Sequence, residues 1–373
     1  MEADDIDMEI AAEVEMDIFD GTAAASSSSF SDASTSSKRL AIKNTIQTNF
    51  HEDYVFQIAS SPEISTLAVS LSSNTIKLYS PATGQFLGEC KGHISTIHEI
   101  SFTVPSSPHL LCSCSSDATV RMWDTRTFKQ ILFWDLRSSK QVACLEESHM
   151  DDVTQVRFTP NQQNKLISSS VDGLLCLFDT VGDIDDDNHL ESVMNVGTSI
   201  GKFGFFGEKN QKLWCLTHIE TLSIWDWRDG RRDINFEDTR TLASDQWNLD
   251  HIDYFVDCYY SETKDRLWVI GGTGAGTLGY FPINCTVPGV IGSPEAILEG
   301  GHTGVVRTVL PVSMTHQGIL SEKKGIFGWT GGEDGRLCCW LSDENLAANK
   351  SWASSTFVMK SPRARGKNRH LPY

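Results

Sequence analysis

The chain reads as an all-β fold assembled from repeated units, and three observations predict it. A His is followed by Ser or Thr, then by Asp four residues on, then by Trp or Phe six residues after that. This set occurs three times: His93, Ser113, Asp117, Trp123; His149, Ser168, Asp172, Phe178; and His302, Thr330, Asp334, Trp340. From Leu40 onward, short alternating stretches are separated by Gly, Asn, Asp, Ser and Pro, the pattern of half-buried strands joined by tight turns. Aromatic residues close successive stretches at Tyr79, Trp123, Trp134, Phe178, Trp225, Tyr280 and Trp340. Units repeated in this way cannot bury their apolar faces alone and must stack on their neighbours.

Composition sets the outer limits. The 373 residues would suit one large domain or two ordinary ones. The repeats favour one all-β domain over residues 40–342, with disordered tails at 1–37 and 343–373. The net charge of −18 argues against a nucleic-acid groove over the body of the protein. Ten cysteines contain no C-x-x-C pair, so free thiols in a reducing compartment are expected, with no metal site and no cofactor. No apolar run approaches the roughly 18 residues of a membrane span. The acidic start lacks a basic and apolar leader. Cytoplasmic or nuclear residence, with no membrane contact, is the expectation.

Along the chain, residues 1–37 are acidic, then Ser-rich, and read as disordered; spaced apolar residues at 8–19 would suit a short helix on a partner. Residues 40–47 read as a strand. The first unit ends at Tyr79 and the second at Trp123, with residues 127–130 as its outer strand. Residues 131–134 then read as the third strand of a further unit. The spacings between unit ends are 44, 11, 44, 47, 55 and 60, and a four-stranded unit needs about 40–45 residues. The spacing of 11 predicts that the first half of one unit, roughly 30 residues or more, is missing at Gln130/Ile131. A six-unit ring with an odd insertion is the alternative. Without its partners, the stretch 131–135 would be an aggregation liability. The units ending at Trp225 and Tyr280 lack the His and Asp of the others and are expected to be looser.

Gly274, Gly276 and Gly279 match G-x-G-x-x-G, but the next residues read as another strand rather than a helix. No helix N-terminus is available for a pyrophosphate, so the glycines read as a hairpin turn. The Ser, His and Asp of each set suggest a hydrolase, yet an active site occurs once. Three copies point instead to buried polar groups satisfying one another. Neither an enzyme nor a small-molecule substrate is expected.

The pairs Gly92–His93 with Trp123–Asp124, Ser148–His149 with Phe178–Asp179, and Gly301–His302 with Trp340 resemble the WD-repeat β-propeller family. Leu341 stands where that family usually has Asp. The stretches 149–179, 268–276 and 300–334 further resemble the subfamily of WD repeat-containing protein 89 with its plant members. The resemblance implies seven four-stranded blades in the intact family, and therefore one blade body deleted here. It implies that residues 40–47 supply the outer strand of the last blade and close the ring. It also implies that each His lies before a blade's first strand, with Ser or Thr on the second, Asp in the next turn and Trp on the third. Phe178 shortens its set by the missing indole N–H.

What such a fold would do is a matter of partners. The family implies a non-catalytic scaffold for protein–protein interactions, with nuclear assembly such as ribosome biogenesis one setting. The segments W-D-x-R ending at Arg126, Arg137 and Arg228 resemble the motif of receptors that bring substrates to a cullin-4 ubiquitin ligase through its adaptor. Each such Arg can instead bond an acidic residue of its own turn. Lys360, Arg363, Arg365, Lys367 and Arg369 form a basic tail, the one place where RNA contact or a nuclear address is expected.

Overall fold

The alternation in the sequence becomes strands at almost every predicted place. The computed structural model describes residues 37–48, 53–103, 106–117, 119–127, 129–131, 148–181, 189–247, 251–286, 288–311, 326–341 and 358–360. Strand β1 spans Lys38–Gln47. Blade 1 is β2 (Val55–Ser60), β3 (Leu67–Leu71), β4 (Thr75–Tyr79) and β5 (Phe86–Lys91). Blade 2 is β6 (Ile97–Phe102), β7 (Leu110–Ser115), β8 (Thr119–Asp124) and β9 (Lys129–Ile131). Blade 3 is β10 (Val153–Thr159), β11 (Gln162–Ser170), β12 (Leu174–Asp179) and β13 (Leu190–Asn195). Blade 4 is β14 (Ile200–Phe206), β15 (Lys212–Thr217), β16 (Leu222–Asp226) and β17 (Arg231–Phe236), followed by helix α1 (Thr239–Asp245). Blade 5 is β18 (Tyr254–Ser261), β19 (Arg266–Gly272) and β20 (Leu278–Asn284), with β21 (Val290–Ile291) and β22 (Ala296–Leu298) both paired to β20. Blade 6 is β23 (Val306–Pro311), β24 (Ile326–Gly332) and β25 (Arg336–Leu341).

Strand β1 completes blade 6. It runs antiparallel to β25, from Ala41 opposite Leu341 to Gln47 opposite Arg336. The N-terminal end of the strand also runs parallel to β22 at Lys38–Leu40, so it ties the outer edges of blades 5 and 6. Ile46 is 1% exposed, which explains why an N-terminal segment is held so far from its neighbours in sequence. The architecture is a WD40-type β-propeller: blades 1 to 4 are separate antiparallel four-stranded sheets, and β1 joins blades 5 and 6 into one ten-stranded sheet.

One buried cluster fills each of five interfaces between neighbouring blades. Ala68 and Ile76 of blade 1 meet Ile100 and Trp123 of blade 2. Ile167 and Leu175 of blade 3 meet Phe203 and Trp225 of blade 4. Ile224 of blade 4 meets Val269 and Phe281 of blade 5. Trp268 and Tyr280 of blade 5 meet Val306 and Trp340 of blade 6, and Trp329 and Leu337 of blade 6 meet Val55 and Leu67 of blade 1. Among the described residues no such cluster joins blade 2 to blade 3, the junction at which the sequence is short.

Four expectations need correction. Ile131, expected to start an orphan strand, pairs with Met122 as the end of β9, since one more residue extends the ladder on blade 2. The rest of that stretch, 132–135, lies outside the described residues. The blades ending at Trp225 and Tyr280 are not looser. Strands β15, β16, β19 and β20 are buried almost throughout, because aromatic and aliphatic packing replaces the polar sets. The C-terminal tail is not unstructured from residue 343 onward: β26 (Val358–Lys360) lies parallel to β1 at Thr45–Gln47, using the ladder edge that β1 leaves open. Finally, β1 begins at Lys38, two residues earlier than expected.

Tight turns between second and third strands need a left-handed residue, supplied by Asn74, Gly173, Glu220, Gly276 and Gly335. Gly276 has φ +92° and a Cβ there would sit 2.7 Å from the His302 backbone. The G-x-G-x-x-G match is therefore a hairpin turn between β19 and β20, closed by Gly276 N–H donating to the Thr273 carbonyl at 2.9 Å.

Candidate functional site

The three repeated sets are assembled as networks inside their own blades. In blade 2, His93 Nδ1 lies 2.8 Å from Asp117 Oδ2 and Nε2 lies 2.7 Å from Ser113 Oγ. The Trp123 indole N–H donates to Ser113 Oγ at 2.9 Å. Asp117 also accepts from the backbone N–H groups of Ile94 and Thr119, so one carboxylate pins the entry loop and the turn together. Blade 3 repeats the geometry with His149 to Asp172 at 3.0 Å and to Ser168 at 2.6 Å; Phe178 donates nothing. Blade 6 has His302 to Asp334 at 3.0 Å, His302 to Thr330 at 2.7 Å, and Trp340 N–H to Thr330 Oγ1 at 2.7 Å.

These networks are buried and electrostatically closed. The His302 and Asp334 side chains are 0% and 5% exposed. Burial alone would lower the pKa of His302, but the hydrogen bonds to Asp334 and to the Cys338 sulfur outweigh it and raise it to about 9. Burial works to raise Asp334, yet His302 and two backbone N–H groups hold it below its ordinary value. The hydrogen bond from Thr119, followed by that from His93, depresses Asp117 despite the opposing desolvation. A nucleophile or base in these sets would have no open side to face a substrate.

Five of the described cysteines, Cys90, Cys176, Cys215, Cys338 and Cys339, are likewise buried by packing. Burial pushes Cys90, Cys176, Cys215 and Cys339 up to about 12, which suppresses the thiolate. Among the described residues no three His, Cys, Asp or Glu converge in a way that could hold a metal.

Chemistry available to a partner lies on the loop-bearing ends of the blades. The entry loops and second-to-third turns share one end, because His93 reaches Asp117. Ile94, Met150 and Ile219 project there at 84%, 93% and 64% exposed. The opposite end, formed by first-to-second and third-to-fourth connections, holds a groove of about 790 Å³ between blades 3, 4 and 5. Asn161, Glu208, Lys209, Trp227, Arg228 and Tyr260 line it. The Trp227 indole donates to the Asn210 carbonyl at 2.8 Å, and Lys209 and Asn210 both hold positive φ. Of these rim and groove residues, sequence reading singled out Arg228 alone. Single apolar residues after a His, and polar residues in separate turns, carry no spacing signal.

The W-D-x-R arginines divide. Arg126 is bound to its own Asp124, with Nε at 2.9 Å from Oδ1 and Nη2 at 2.5 Å from Oδ2, as the simpler reading of such an Arg anticipates. Arg228 stands 3.9 Å from Asp226 with 44% of its side chain exposed, because Lys212 bonds Asp226 at 3.3 Å. Glu220, in the second-to-third turn of blade 4, accepts from Phe255 N–H of blade 5 at 2.7 Å. Arg137, Arg363, Arg365, Lys367 and Arg369 lie outside the described residues, as does all of the side chain of Lys360.

The family model "WD domain, G-beta repeat" matches residues 84–124 and 139–179. The chain is 58% identical to WD repeat-containing protein GTS1 of Arabidopsis thaliana over 371 aligned positions, covering 90% of this chain and 93% of the relative. It is 33% identical to WD repeat-containing protein 89 homolog of Dictyostelium discoideum over 306 positions, covering 74% of this chain and 82% of the relative. In the first alignment, 90% of 373 residues fills about 336 of the 371 positions. About 35 positions therefore face gaps in this chain.

Proposed function

The chain belongs to the WD-repeat family of β-propellers, in which blades support protein–protein contacts, and from that premise we propose that it is a non-catalytic scaffold whose partners bind the loop-bearing ends of its blades. The observation that carries this reading is the division of its side chains. The polar sets are spent inside the blades, while Ile94, Met150 and Ile219 stand exposed around one end. Exposed apolar residues on a polar rim are the usual anchors of a protein interface.

The test uses a triple variant, Ile94→Asp, Met150→Asp and Ile219→Asp, in a tagged pull-down from native cells. The expected result is loss of the partners that wild-type protein recovers, with an unchanged circular-dichroism spectrum. Recovery of the same partners by the folded variant would remove this end from consideration. Nuclear assembly, including ribosome biogenesis, is the setting we favour. Its support is the basic tail, and deletion of residues 361–373 should then move the protein out of the nucleus.

A second reading rests on Arg228. Its side chain is 44% exposed and lines the groove, where it could meet a cullin-4 ligase adaptor. Arg228→Ala should abolish recovery of that adaptor if the reading is right, whereas Arg126→Ala should have a smaller effect.

A further inference from the structure

Blades 3 and 4 share a second polar set, built from strand register rather than from spacing along the chain. In blade 3, Lys165 of β11 stands opposite Asp179 at the end of β12. Its ammonium donates to Asp179 at 3.2 Å and to Glu191 of β13. In blade 4, Lys212 of β15 stands opposite Asp226 at the end of β16. Its ammonium donates to Asp226 at 3.3 Å and to Asp233 of β17. Glu191 and Asp233 hold the same place in their strands. Each is the residue skipped where the outer ladder shifts register, between Leu190 and Ser192 in one blade and between Arg232 and Ile234 in the other. A bulge of this kind re-aims one side chain, and here it brings a second carboxylate to the lysine.

Blade 2 has neither part. Leu110 stands opposite Asp124, and the outer ladder from Asp124–Lys129 to Met122–Ile131 runs without a shift. Asp124 closes on Arg126 instead, and the hydrogen bond from that side chain holds its carboxyl down to about 2. Arg126 and Arg228 otherwise occupy equivalent places. Each lies two residues after its Asp, and the backbone N–H of each donates to Oδ1 of that Asp. Exposure does not separate them in the expected sense, since Arg126 is the more exposed of the two at 64% against 44%. The side chain opposite the Asp does separate them. Burial works to lower the pKa of Lys212, but the bonds to Asp233 and Asp226 outweigh it and keep the ammonium charged.

We infer that Lys212 is a positioning residue: by holding Asp226 it leaves the Arg228 guanidinium free to take an acceptor from a partner in the groove. The purpose of the freed Arg228 rests on the second reading above. A guanidinium only donates, and its planar fork fits a carboxylate, so the partner group is an acidic side chain. In blade 3 the same set is a strand staple alone, because Val181 stands where blade 4 has Arg228 and its N–H donates to Asp179 at 3.0 Å.

The test observes Arg228 directly and needs no partner. The full chain is treated with phenylglyoxal, and modification of each Arg is followed by peptide mass spectrometry. Lys212→Met should slow modification of Arg228 by about threefold, the scale of an exposed ion pair. Asp226 then turns to Arg228, while Asp233 keeps Arg231 at 3.2 Å. Lys212→Arg should leave the rate near that of the wild type. Leu110→Lys, the opposite change in blade 2, should speed modification of Arg126 by a similar factor. Circular dichroism reports whether each variant is folded, and if Lys212→Met is not, Leu110→Lys alone decides. An unchanged Arg228 rate in folded Lys212→Met overturns the inference. So does equal slowing in Lys212→Arg, or an unchanged Arg126 rate in folded Leu110→Lys. Failure here leaves the adaptor reading to the Arg228→Ala pull-down, which does not depend on how Arg228 is held.

Discussion

His302 shows how a buried imidazole becomes a fixed charge. Its pKa, raised to about 9 by Asp334 and Cys338 against the effect of burial, lies above the ordinary value near 6.5. A raised folded-state pKa means that the stabilisation is fully present below about pH 6.5 and is lost as pH rises through 9. The depressed Asp334 contributes in the opposite sense: its share is present above its ordinary pKa and is lost as pH falls through the folded value. Urea titrations from pH 6 to 10 should therefore show stability falling on the alkaline side by an amount on the order of 3 kcal/mol. His302→Gln should flatten that fall. Trp123→Phe makes a narrower test. It removes the indole N–H to Ser113 and reproduces what blade 3 has naturally in Phe178, so a cost of about 1 kcal/mol is expected. A much larger loss would mean that the ring volume, rather than the hydrogen bond, governs the site.

Among the elements, β1 carries the most consequence for its length. It pairs with β25, β22 and β26, joining strands about 250 to 310 residues apart in the chain. Thr45 Oγ1 meets Cys338 Sγ at 3.8 Å, and Thr48 Oγ1 donates to the Gly335 carbonyl at 3.0 Å. Ile46→Asp would bury an unpaired carboxylate between blades 6 and 1, and a loss of at least about 3 kcal/mol is expected in chemical denaturation. The same substitution at exposed Ile94 should change stability by less than about 0.5 kcal/mol. Equal effects at both positions would show that β1 does not close blade 6. Residues 40–47 were readable as a strand from their alternating apolar residues, and the family resemblance implied their place as the closing strand. The groove near Trp227 was not readable, since its walls come from turns of three blades.

At the scale of the molecule, five inter-blade junctions are sealed by clusters, and the described residues of the sixth are not. Inserting the body of one blade, roughly 30 residues, at Gln130/Ile131 should raise the Tm by several degrees and reduce binding of a hydrophobic dye. The reason is that Val153, Val156 and Phe158 would pass from half-exposed to buried. A Tm that stays level or drops would mean that the six described blades already form the stable arrangement.

The sequence by itself determined the polar sets, the hairpin role of Gly276 and the short junction after blade 2, whereas the strand count per unit and the closing strand came from the resemblance to a known family. The first three are written in local spacing: a fixed offset from His to Asp, a period of two along a strand, or a fixed distance between aromatic ends. Only the tertiary structure decided that the blades without His and Asp pack as tightly as the others, since aromatic packing leaves no spacing signature. It also decided that Arg126 is held by its own Asp124 while Arg228 is not, because the competing Lys212 arrives from the neighbouring strand. Which apolar residues are left uncovered was likewise a tertiary question: Ile100 and Val156 occupy equivalent positions in their blades, and only the blade in front of each makes one buried and the other exposed.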